Sequence, residues 1–73
     1  MRFSVGDRVI VHPIDYRTHE EDTEHLHYGR TGQVLETNDR IGTVCVAMDS
    51  FPECSNRAWA NRFWYNEEDL CAV

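Results

Sequence analysis

The alternation in Thr43-Val44-Cys45-Val46-Ala47-Met48 most constrains what this chain can form. Val44, Val46 and Met48 fall on one face by period two, and β-branched residues in such a run suit a pleated, half-buried surface. The other extended runs are just as short. Val5-Gly6-Asp7-Arg8 is a turn leading into Val9-Ile10-Val11-His12, which Pro13 closes. Tyr28 through Glu36 reads as a second strand, reached through Gly29 and Gly32, whose backbones permit a tight or bulged path. Asn38-Asp39-Arg40-Ile41-Gly42 is a turn cluster ahead of the Thr43–Met48 strand. Arg62-Phe63-Trp64-Tyr65 predicts a fourth strand. Asn66-Glu67-Glu68-Asp69 predicts a single helical turn, because Asn caps and acids favour a helix N-terminus. Leu70-Cys71-Ala72-Val73 completes the set as a short last strand.

Two long connections separate these runs: residues 14–28, which lack helical periodicity, and Asp49 through Asn61. Five short strands bury little as a flat sheet, so closure into a small barrel is expected, with residues 1–73 as one all-β domain. An OB-type barrel is the alternative and usually needs a longer chain. At 73 residues the core is small, since such a chain buries only about 60% of its unfolded surface. That leaves little room for a deep substrate pocket, which weighs against an enzyme.

Composition narrows the class further. Hydrophobic residues at 41% argue against global disorder, and no apolar run approaches the ~18 residues needed to span a bilayer. Met1 through Asp7 lacks the apolar stretch of a signal peptide, so a cytoplasmic protein is expected. Cys45, Cys54 and Cys71 make an odd set without C-x-x-C spacing, which suits reduced thiols.

Taken together, Gly6-Asp7-Arg8-Val9, Gly29-Arg30-Thr31-Gly32-Gln33-Val34, Val44-Cys45-Val46-Ala47-Met48-Asp49 and Trp64-Tyr65-Asn66-Glu67-Glu68-Asp69-Leu70 resemble the SH3-like barrel group. The second of these segments is similar to the KOW element of ribosomal and transcription-factor domains. The strand order and closing segment also resemble the small SH3-like subunit of photosystem I and small phage-encoded SH3-like proteins. The resemblance implies a five-stranded barrel with two long loops and a short helical turn before the last strand. It specifies fold far more than function. The chain departs from RNA-binding KOW domains, which are usually basic, and it lacks the ALYDY-like segment that builds a polyproline shelf.

Charge directs the functional expectation. Thirteen acidic side chains oppose seven basic ones, all Arg, for a net charge of −6. Asp15, Glu20, Glu21, Asp22 and Glu24 concentrate in residues 15–25 against Arg17 alone. Phosphate backbones are bound chiefly through Lys and Arg, so a basic protein surface is the better electrostatic match. A fourteen-residue connection, residues 14–27, is long for so small a domain, and such loops often carry function; the plainer reading is a solubilising flap. In the second loop Arg57 and Trp59 belong to the types most enriched at interface hot spots, although Trp59 also suits a cap over one barrel end. Alternation in Phe63-Trp64-Tyr65 puts at least one aromatic outside, with Trp64 as the candidate anchor.

The expected function is therefore a non-catalytic adaptor or inhibitor that docks on a partner protein with a basic surface through Glu20, Glu21, Asp22, Glu24, Arg57, Trp59 and Trp64. A small, acidic, lysine-free barrel also fits a phage or other mobile element acting on a host protein, one version being a mimic of DNA charge. The alternatives are a KOW-like nucleic-acid binder using Arg30, Arg40 and Arg62, and a structural subunit held by edge-strand pairing. His19, His25 and His27 lie among carboxylates, yet without a recognised ligand spacing, so no metal or other cofactor is expected. Cys45 between two valines reads as a small apolar side chain, and Glu53 beside Cys54 disfavours a reactive thiolate.

Overall fold

The computed structural model describes residues 1–49 and 62–73. Among the described residues seven strands are present: β1 (Arg8–Val11), β2 (Ile14–Asp15), β3 (Glu20–Glu21), β4 (Thr31–Asn38), β5 (Thr43–Met48), β6 (Arg62–Asn66) and β7 (Leu70–Ala72). A 3-10 turn, Glu67–Asp69, joins β6 to β7. Five strands form one antiparallel sheet in the order β6-β5-β4-β1-β7, and β2 pairs with β3 as a separate ribbon. The protein is all-β, as its alternating runs predict. Among the described residues no helix is long and apolar enough to cross a membrane.

One face of the large sheet carries the core. Val9 and Val11 from β1, Val34 from β4, Val44, Val46 and Met48 from β5, Tyr65 from β6 and Leu70 from β7 bury together with Phe3. The register brings these side chains into rows: Val34 opposes Val46, Val44 opposes Tyr65, and Val11 opposes Leu70. Each fully buried valine or leucine contributes roughly 1.5–3 kcal/mol by leaving water. A register shift between Val34 and Glu36 adds one residue to β4 opposite β5. Such a bulge bends the strand and increases its twist, which helps one face wrap a compact core.

Two expectations change. The second strand begins at Thr31 rather than Tyr28. Arg30 N–H donates to His27 O at 3.0 Å, and Gly29, at φ +75°, donates to Val11 O at 2.8 Å. These bonds make residues 27–30 a turn, and pairing with β5 then extends the strand to Asn38. The connection 14–27 is also not irregular throughout. Ile14 pairs with Glu21 and Asp15 with Glu20, so its first half is a short hairpin. Of the second long connection, only Asp49 is described; Phe51, Cys54, Arg57 and Trp59 lie outside the described residues.

Asp49 fastens the far end of β5. Arg8 grips its carboxylate with both guanidinium nitrogens, Thr31 Oγ1 donates to it at 2.6 Å, and Asp49 N–H donates to Thr31 O at 3.0 Å. These contacts, Arg8 first and Thr31 second, hold the Asp49 carboxyl down at about 2. A depressed carboxylate stabilises the fold above its unfolded value near 4, and that contribution disappears as pH falls through the folded value. Urea midpoints measured from pH 5 to pH 2 should therefore fall less steeply in Asp49→Asn than in the parent. Equal slopes would show that this exposed cluster contributes nothing.

Candidate functional site

The hairpin β2–β3 is folded by its own short-range bonds. Asp15 Oδ1 accepts from the Arg17 backbone N–H at 2.9 Å, and Asp15 O accepts from Thr18 and His19 N–H at 3.1 and 2.7 Å. An Asp side chain that bonds two residues ahead is a common device for turning a chain. His19 completes the turn in the left-handed region, at φ +58°.

Asp69, in the 3-10 turn, pins this hairpin to the sheet. It is buried, and its Oδ1 accepts from Ile14 N–H at 3.0 Å and from the Tyr16 hydroxyl at 3.2 Å. Its backbone O accepts from His12 N–H at 2.7 Å. Asn66 Nδ2 donates to the Tyr16 oxygen at 3.3 Å, so the phenol bridges the hairpin to the end of β6. Burial, with the Asp69 charge behind it, pushes the Tyr16 hydroxyl above its ordinary value.

Between these parts lies an open cleft of about 450 Å3, lined by Tyr16, Ile41, Gly42, Asn66, Glu67 and Glu68. Three segments build it: the hairpin tip, the β4–β5 turn and the 3-10 turn. Gly42, at φ +70°, closes the β4–β5 turn by donating to Asn38 O at 2.9 Å, and its own carbonyl accepts from Glu67 N–H at 3.0 Å. The 3-10 turn is thereby tied to the β4–β5 turn. Ile41 and Tyr16 are both exposed, so the cleft combines apolar surface with two carboxylates. Trp64, 53% exposed, shares its sheet face through period two with Asn66, one of the residues lining the cleft. The chemistry available there is recognition of a cationic group with an apolar or aromatic flank.

The residues singled out from sequence differ in how they are engaged. Glu20 and Glu24 are exposed and, among the described residues, have no side-chain hydrogen bond or ion pair. Glu21 is engaged, with Oε1 accepting from His12 Nδ1 at 2.5 Å, and the edge of the His12 ring meets Tyr28 at 5.3 Å between centroids. Asp22 is half-buried, and its Oδ1 accepts from Glu24 N–H at 3.3 Å. Arg57 and Trp59 lie outside the described residues. Arg40 sits on the β4–β5 turn, whereas Arg62 opposes Ala47 at the other end of the β5–β6 ladder and Arg30 precedes β4 at that same end. The register therefore separates Arg40 from the other two.

The three loop histidines also part company. His19 occupies the exposed hairpin tip, and His25 Nδ1 accepts from His27 N–H at 3.0 Å. His27 is buried, with Nδ1 sharing a 2.5 Å hydrogen bond with the Tyr65 hydroxyl. No three His, Cys, Asp or Glu side chains among the described residues are grouped to hold a metal ion. Cys45 is buried, and burial first and Glu36 second push its thiol up. Cys71 is exposed on β7.

No known protein family, curated protein or solved structure matches this chain. Tyr16, Ile41, Glu67 and Glu68 were not legible as a site from sequence. They lie on three segments far apart in the chain, and no local spacing links them.

Proposed function

We propose that this protein is a non-catalytic protein-binding module that takes a basic, extended segment of its partner into the Tyr16–Ile41–Glu68 cleft. The observation that carries the reading is the cleft itself, an open concavity lined by two carboxylates and by exposed Tyr16 and Ile41. An Arg or Lys head would meet Glu67 and Glu68, while its aliphatic stem and neighbours lie on the apolar rim. Trp64 extends that rim, and the exposed carboxylates Glu20 and Glu24 add negative field that speeds encounter with a basic partner.

The fold proposed for this module is an SH3-like barrel. Three features support it: β1 pairs with both β4 and β7, the sheet runs β6-β5-β4-β1-β7, and a 3-10 turn precedes the last strand. Adaptor, inhibitor and mobile-element roles are all compatible with such a module, and its partner is a protein rather than a nucleic acid.

Titration of the 15N-labelled protein with a short Arg-containing peptide tests the reading. Amide shifts should gather at Tyr16, Gly42 and Glu67–Glu68 and weaken with added salt. The pair Glu67→Gln and Glu68→Gln should loosen binding about tenfold, as expected for loss of two solvent-exposed ion pairs at up to about 1 kcal/mol each. An undiminished affinity in that pair, or preferential binding of an RNA or DNA oligonucleotide at the same salt, would overturn it.

A further inference from the structure

His27 is a polar side chain with no role in the cleft. It is 1% exposed, its Nδ1 shares the 2.5 Å bond with Tyr65 Oη, and its ring lies edge-on to Phe63 at 4.2 Å between centroids. Its Nε2 is buried with no hydrogen-bond partner among the described residues. The bond has a topological consequence. His27 belongs to the turn leading into β4, whereas Tyr65 lies on β6, two strands away at the sheet's edge. Residues 22–30 are thus tied to β6 by this bond, by the ring contact of His27 with Phe63 and by that of His25 with Tyr65 at 5.9 Å between centroids.

We propose that the His27–Tyr65 bond is an acid-released latch that holds residues 22–30 against the edge strand β6. The chemistry is asymmetric. Burial first, and Asp69 second, hold the Tyr65 phenol up at about 12, so it stays an O–H donor at ordinary pH. With the phenol as donor to Nδ1, His27 is neutral and carries its proton on Nε2, which has no acceptor among the described residues. A second proton on the imidazole must go to Nδ1, turning the bond round and placing a full charge where burial disfavours one.

The groups acting on His27 oppose that charge. On its own segment are His25 and Arg30, both cationic when protonated, and facing it from β6 are Tyr65 and apolar Phe63. Burial first, then His25 and Arg30, lower the affinity of His27 for a proton. A histidine depressed in the folded state stabilises it above the unfolded value near 6.5, and that contribution is lost as pH falls below it. The latch therefore holds at neutral pH and lets go in acid. It does so whether or not the cleft binds a partner.

Imidazole 1H–13C spectra of the intact protein, recorded from pH 8 to pH 4 with backbone amide spectra alongside, test this directly. His27 should titrate below the unfolded value near 6.5, the direction in which its burial pushes it. Its protonation should coincide with shift or broadening of amides 22–30 and of Tyr65, while amides of β5 stay in place. Tyr65→Phe removes the hydroxyl and should bring residues 22–30 to their loosened state already at pH 7. Two results would refute the latch: His27 titrating at or above its value in the urea-unfolded protein, or His27 protonating while amides 22–30 remain unmoved. If Tyr65→Phe fails to fold, the titration of the parent protein decides alone.

Discussion

Asp69→Ala should unlock the acidic hairpin and cost the protein about 3 kcal/mol, since hydrogen bonds to a charged group contribute roughly 1.5–3 kcal/mol each and two are lost. The carboxylate is buried and accepts from Ile14 N–H at 3.0 Å and from Tyr16 Oη at 3.2 Å. Alanine leaves the Ile14 amide without its acceptor and frees Tyr16 from one wall of the cleft. In a domain this small the loss corresponds to a fall in Tm of about 15 °C. Hydrogen exchange should locate the damage: protection at residues 14–21 collapses while the β4–β5 ladder keeps most of its own. Asp69→Asn, which retains one oxygen acceptor, should recover part of the loss. An alanine variant with parental Tm and parental exchange at Ile14 would show that the hairpin is held by something else. Because Tyr16 lines the cleft, peptide affinity should fall in the same variant even where the sheet stays intact.

Gly32→Ala is expected to destabilise by about 1–3 kcal/mol, the range for forcing extra volume into a packed interior. The usual expectation for such a change has the opposite sign. Where the native backbone tolerates alanine, replacing glycine stabilises by about 0.4–1 kcal/mol through the unfolded chain. At Gly32 an added Cβ would stand 2.5 Å from Val46 Cγ1 and 2.7 Å from the Ala47 carbonyl oxygen. Val46 is fully buried and Ala47 O is backbone, so neither moves away cheaply. Gly32 pairs with Val9 on one side and Met48 on the other, so the strain enters the middle of the sheet. Equilibrium urea unfolding checks this, with the midpoint falling at unchanged slope. A stabilised Gly32→Ala protein would mean that β4 and β5 lie further apart at this point.

Gly32 also marks how far the sequence can be read. Its glycine signalled a special backbone path, yet its φ is not positive, and what excludes a side chain is the neighbouring strand. Asp69 is similar. In the chain it reads as one of three acids favouring a helix N-terminus, and it does lie in a short helical turn. Its partner Ile14 is 55 residues away, so nothing local reveals the anchor. His27 sits among acids and polar residues that suggest a solvated loop, but it packs under Phe63 and Tyr65. The hairpin was hidden for another reason. Strands of two residues, Ile14–Asp15 and Glu20–Glu21, are too short to display a period-two pattern.

The sequence by itself determined the extended segments whose patterns are local: Thr43–Met48 with its inward Val44, Val46 and Met48, the aromatic strand ending at Tyr65, the short helical turn and the closing strand at Leu70. These are legible because a pleated strand exposes alternate residues to water and to the core, and that alternation is written in neighbouring letters. The tertiary structure alone decided which acids are engaged and which are exposed, where Tyr16, Ile41 and Glu68 meet, and that His27 reaches Tyr65. Each of those depends on contacts between residues distant in the chain, and only packing around a shared apolar interior brings them within bonding range.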